Sequence, residues 1–147
     1  HASSYFDERQ SAFQAVMKPY FAEIDKIKGG AAGKTYGATE SVFDYMAQAC
    51  GLVNLTPVGY QNSITNESEP APGDIAAFNA DLTSKKMSVL IYNTQTEGSV
   101  PNQLVSKANS SGVPVVNVTE TLPADVGTFE QWQISQLQSL SKALGLS

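Results

Sequence analysis

Short apolar strands that end in a carboxylate and lead straight into a helix constrain this chain more than any other feature. Val115-Val116-Asn117-Val118-Thr119-Glu120-Thr121-Leu122 precedes an amphipathic run at residues 128–144. The same unit occurs earlier, where Thr35-Tyr36-Gly37-Ala38-Thr39-Glu40 is again followed by a helical stretch. Strands that alternate with helices predict an α/β fold, a parallel sheet with helices on both faces and right-handed crossovers. In such sheets ligands sit at the carboxyl ends of the strands. Glu40 and Glu120 are therefore candidates for converging on one site.

The remaining elements fill in a four-stranded sheet. A long helix is expected over residues 4–28, with Phe6, Phe13, Val16, Met17, Tyr20, Phe21, Ile24 and Ile27 spaced three and four apart on one face. Pro19 should kink it or remove one hydrogen bond, and Gly29-Gly30 should stop it. A strand at 34–38 and a helix at 40–50, ended by Gly51, follow. Then come a strand at 53–58, a polar connection at 59–69 and a helix at 71–82 opened by Pro72. A connection of that length at the carboxyl edge is often functional. An apolar strand at 87–92, a helix at 101–110, a strand at 113–118 and the last helix at 128–144 complete the set. Thr128 with Gln131 matches a capping box, and Phe129, Trp132, Leu137, Leu140 and Leu144 are expected to supply the helix's buried side.

Composition excludes several roles. The 147 residues suit one domain. The net charge of -5, with no block of lysine or arginine, argues against a nucleic-acid partner. No apolar run approaches the roughly 18 residues that span a bilayer. No leader segment is visible either, which is also what a mature or trimmed chain shows. The single Cys50 cannot form an internal disulfide and, among apolar neighbours, reads as a packed core thiol. With His1 the only histidine, a Ser-His-Asp triad and a complete histidine-rich metal site are both excluded within the chain.

Gly29-Gly30-Ala31-Ala32-Gly33-Lys34-Thr35 looks like a phosphate-binding loop but fails on spacing and order, since a helix precedes it and a strand follows. Asn54, Asn66, Asn109 and Asn117 each open a glycosylation-type triplet, a pattern short enough to arise by chance.

For Glu40 the plain alternative is a first-turn carboxylate that favours the helix dipole. For Glu120 it is an exposed loop acid. Carboxylates are also good oxygen ligands for hard or borderline cations. Two ligands do not complete a metal site, so any such cation needs donors from elsewhere.

Five segments, taken in order, resemble one family. They are Gly37-Ala38-Thr39-Glu40-Ser41-Val42-Phe43-Asp44-Tyr45, Glu67-Ser68-Glu69-Pro70, Val89-Leu90-Ile91-Tyr92-Asn93-Thr94-Gln95, Val118-Thr119-Glu120-Thr121-Leu122 and Phe129-Glu130-Gln131-Trp132. Together they are similar to the second half of the metal-binding solute-binding proteins of ABC transporters, the zinc- and manganese-uptake type. The resemblance implies two α/β lobes joined by a long helix, with a divalent metal as cargo between them. Residues 1–28 would then be the interlobe linking helix and residues 29–147 the C-terminal lobe. It also implies four protein ligands: two histidines from an N-terminal lobe not contained here, Glu40, and Glu120.

Both glutamates depart from the common pattern of three histidines and an aspartate, and an oxygen-richer site shifts preference towards manganese or iron. Asn93-Thr94-Gln95 replaces an acidic residue that many relatives carry after that strand.

The expectation is thus a monomeric, extracytoplasmic binding component, not an enzyme. It would partner the membrane permease of an ABC importer, and it could be lipid-anchored in a longer protein. The rival is a small flavodoxin-like domain that binds an organic ligand at the same edge through Asn93, Gln95 and Glu120. Against it stand the missing phosphate loop and the lack of a histidine or reactive cysteine near a strand end. A third reading is a purely structural or docking module.

Overall fold

The computed structural model describes residues 2–146. Strands β1 (Thr35–Ala38), β2 (Val53–Asn54), β3 (Val89–Asn93) and β4 (Val115–Val118) form one sheet in the order β2-β1-β3-β4. Every neighbouring pair is parallel, with Leu90 opposite Val115 and Ile91 opposite Val116 in the β3–β4 register. The helices are α1 (Ala2–Ala31), α2 (Asp44–Ala49), α3 (Val58–Thr65), α4 (Pro72–Thr83), α5 (Ser99–Ser111) and α6 (Phe129–Ala143).

The alternation along β3 explains why both faces are covered. Val89 and Ile91 point into one core with Ile27 and Ala31 of α1, Ala47 of α2, and Leu137 and Leu140 of α6. Leu90 points into the other core with Tyr60 of α3, Phe78 and Leu82 of α4, and Leu104 and Ala108 of α5. Successive strand residues face opposite sides, so a buried parallel strand must be apolar throughout. Gly37 of β1 lets the second core approach the sheet: a β-carbon there would crowd the Met87 sulfur and lie 2.8 Å from the Phe78 ring edge.

Five expectations need correction. Phe129, expected on the buried side of α6, is exposed at its first turn, while Leu137, Leu140 and Leu144 are buried. Helix α1 runs through Gly29-Gly30 to Ala31, because Ile27 and Ala31 are buried and packing holds the last turn. The stop falls at Gly33, whose φ of +82° suits glycine and whose N–H donates to the Gly51 carbonyl at 2.9 Å.

The first half of α1 does not bury its apolar face. Phe6, Phe13, Val16 and Phe21 are exposed, while Met17 and Ile27 are buried. A 30-residue helix is roughly 45 Å long, far longer than these strands, so it overshoots the sheet. The helix continues through Pro19, whose missing N–H leaves one rung unmade.

The strand expected at 53–58 keeps only Val53–Asn54. Thr56 offers its side chain to the Ala38 N–H at 2.9 Å in place of a backbone carbonyl, and Pro57 has no N–H to extend the ladder.

The polar connection at 59–69 is largely the helix α3. Its propensity is poor, with Gly59 and Asn62 inside it, yet Tyr60 buries fully and Ile64 packs beside it, so tertiary contact overrides the local preference.

Candidate metal-binding edge

Connections from β1 and β3 leave over opposite faces: β1 leads to β2 through α2 in the first core, and β3 leads to β4 through α5 in the second. The carboxyl ends of β1 and β3 therefore flank a topological switch point, where open α/β sheets form their crevice. Thr39 plugs that point and is fully buried. Its N–H donates to the Ile91 carbonyl at 3.0 Å, and its Oγ1 accepts from the Asn93 N–H at 3.2 Å.

Glu40 comes directly after this plug, with an extended backbone (φ −151°, ψ 165°). It is thus not a first-turn residue. It precedes the 3₁₀ turn Ser41–Phe43 that leads into α2, and its side chain caps nothing. Instead its Oε1 accepts a 2.7 Å hydrogen bond from the Thr96 hydroxyl. The neighbouring carboxylate of Asp44 is already engaged, accepting from the Tyr36 hydroxyl at 2.8 Å. Tyr60 donates to the Thr39 carbonyl at 3.3 Å; burial, with the Glu40 charge nearby, pushes the phenol up to about 12.

Glu120 is exposed, but its backbone is held firmly. The Gln95 Oε1 accepts from the N–H groups of Glu120 at 2.8 Å and Thr121 at 3.0 Å. Gln95 Nε2 donates to the Thr121 hydroxyl at 2.7 Å. One residue earlier, the Thr119 N–H donates to Gln136 Oε1 at 2.8 Å, and the Trp132 indole donates to Thr119 Oγ1 at 2.9 Å.

Glu40 and Glu120 line the same open cavity of about 730 Å³, together with Glu67, Glu69 and Glu97 and without any lysine, arginine or histidine. An acidic, cation-free cavity disfavours anions and suits a cation. Among the described residues, no group of three or more histidine, cysteine, aspartate or glutamate side chains is arranged to hold a metal. The lone histidine, His1, lies outside the described residues. Cys50 is buried in the first core, and burial pushes its thiol up to about 11, so it remains a packed thiol.

Sequence reasoning missed Thr96 and Gln136. Nothing marks a threonine in a polar loop. Gln136 had a signal: it is a polar residue beside Leu137 and one turn before Leu140 on the apolar side of the last helix, where it is buried. The organic-ligand reading loses its contacts here. Asn93 is buried with its Oδ1 accepting the Gln95 N–H at 3.1 Å, and the Gln95 side chain is spent on the Glu120 loop.

A search of curated proteins gives no match to the chain. Solved structures do match in fold. The laminin-binding adhesin Lmb from Streptococcus agalactiae, in a mutant form, superposes with a TM-score of 0.70 at 19% identity, over 98% of this chain and 52% of the adhesin. Zn(II)-bound AdcAII of Streptococcus pneumoniae, also a mutant, gives 0.66 at 19% identity, over 98% and 52%. A metal-free mutant of the periplasmic metal binding protein from Candidatus Liberibacter asiaticus gives 0.69 at 13% identity, over 97% and 52%. The chain spans about half the length of each. Among the described residues no helix is long and apolar enough to cross a membrane. The family model described as zinc-uptake complex component A, periplasmic (ZnuA), matches residues 1–143, so the chain belongs to that family.

Proposed function

We propose that this chain is the C-terminal lobe, with its interlobe helix, of an extracytoplasmic solute-binding protein. Its cargo is a divalent transition metal, zinc or manganese, handed to the permease of an ABC importer. One observation carries the reading: in a member of the zinc-uptake family, Glu40 and Glu120 line one acidic cavity at the carboxyl edge of the sheet. The two carboxylates supply half of a four-ligand site, and a preceding lobe supplies two histidines. The exposed aromatic face of α1 supports that division, since Tyr5, Phe6, Phe13 and Phe21 form an apolar surface suited to cover by another lobe. The role is binding and release, with no covalent chemistry.

Isothermal titration calorimetry with Zn(II) and with Mn(II) tests the reading. Loss of an outer partner of a metal ligand alone costs about 10–100-fold in affinity, so without the two histidine ligands of the other lobe the chain should bind either ion weakly and with little selectivity. Glu40→Ala with Glu120→Ala should abolish that binding. Tight binding that survives the double substitution would place the metal elsewhere and end this assignment.

A further inference from the structure

We infer that the loop following β3, through Gln95 and Thr96, is a positioning device that sets both carboxylates of the site at once. The inference rests on the metal reading above and adds to it the residues that orient the ligands. Three observations converge. The Thr96 hydroxyl donates to Glu40 Oε1 at 2.7 Å. The adjacent Gln95 accepts from the N–H groups of Glu120 and Thr121 through one oxygen and donates to the Thr121 hydroxyl through its nitrogen. The loop itself is anchored, because the buried Asn93 accepts the Gln95 N–H and the Thr94 N–H donates to the Val118 carbonyl at 3.0 Å.

Glutamate has several rotatable bonds, and ordering it only when a cation arrives costs entropy. A hydroxyl bonded to Oε1 removes part of that freedom in advance, and the second carboxylate oxygen of this cavity-lining residue is not used by that bond. An ionised carboxylate only accepts, so the threonine hydroxyl is the matched partner. Glu120 is handled differently. No described bond reaches its carboxylate, but its peptide is fixed from behind by the Gln95 amide. Glu40 follows β1 and Glu120 follows β4, strands that do not pair with each other but each pair with β3, and the β3 loop is the segment bonded to both. A change in this loop therefore reaches both ligands.

The test uses this chain, Mn(II) as a paramagnetic probe in amide NMR spectra, and Zn(II) calorimetry. In the parent, Mn(II) should broaden amides around Glu40 and Glu120 first. Thr96→Val and Gln95→Leu should each weaken Zn(II) binding by about 10-fold to 100-fold, the range seen when a ligand loses its supporting partner. Thr96→Ser keeps the donor and Gln95→Glu keeps the two-amide acceptor, so both should retain binding. Unchanged melting curves distinguish a positioning effect from a folding one. Parent-like binding in Thr96→Val and Gln95→Leu, with broadening still centred on Glu40 and Glu120, would overturn the positioning role and leave the metal reading intact. Equal losses in Thr96→Ser and Thr96→Val would also overturn it, because the hydroxyl would then be irrelevant. Broadening centred elsewhere in the parent would overturn the metal reading and this inference together.

Discussion

Tyr60 ties the second core to the site: its ring packs edge-on against Phe78 at 5.0 Å while its hydroxyl reaches the Thr39 carbonyl. Its pKa is raised by burial first and by the Glu40 charge second, to about 12. Tyr36 and Tyr20 are also raised by burial. A raised folded-state pKa means that the native protein holds the proton more tightly than the unfolded chain. The resulting stability is fully present below the ordinary tyrosine value near 10 and is lost as pH climbs towards the folded value. Burial raises the Cys50 thiol in the same sense, so urea unfolding should show a constant midpoint from neutral pH to about pH 8 and a falling one by about pH 11. Tyr60→Phe should flatten part of that fall, and a midpoint that rises over this range would contradict the sign. The type of residue was readable here, since Glu40 and Glu120 stood out as carboxylates after strands. Their partners were not, because a bond such as Thr96 to Glu40 joins residues 56 positions apart.

Among the elements, α6 was the most legible. Its cap and stripe agree with each other: Thr128 Oγ1 accepts the Gln131 N–H at 3.3 Å, and Leu137 and Leu140 are fully buried against the first core. Two substitutions separate the two contributions. Thr128→Ala should cost about 0.5–2 kcal/mol through one lost cap, whereas Leu140→Ala should cost about 2–5 kcal/mol through lost burial and a cavity. Denaturant unfolding of both variants checks the order, and a larger loss at Thr128 would mean that the end of the helix governs its docking. Strand β2 and helix α3 were not legible. Val53 to Val58 has the composition of a strand, but Thr56 turns inward as a side-chain acceptor and Pro57 ends the ladder. Helix α3 has few apolar residues and is held by Tyr60, so its pattern is too weak to register without its neighbour α4.

For the whole molecule, two apolar cores close around one sheet without any contribution from the cavity glutamates. The fold should therefore be independent of metal, and melting followed by circular dichroism should be the same with a chelator as without. A marked drop with chelator would show that the metal is structural, not cargo. Sequence alone determined the alternation of strands and helices apart from α3, the parallel pairing of the strands and the edge where two carboxylates emerge. These follow from local periodicity and from the rule that parallel strands end together. Only the tertiary structure decided that α1 overshoots the sheet with its aromatic face bare, that a polar segment becomes α3, and that the β3 loop holds both glutamates. Each of those depends on which distant surfaces meet, and the spacing of residues along a chain carries no record of that.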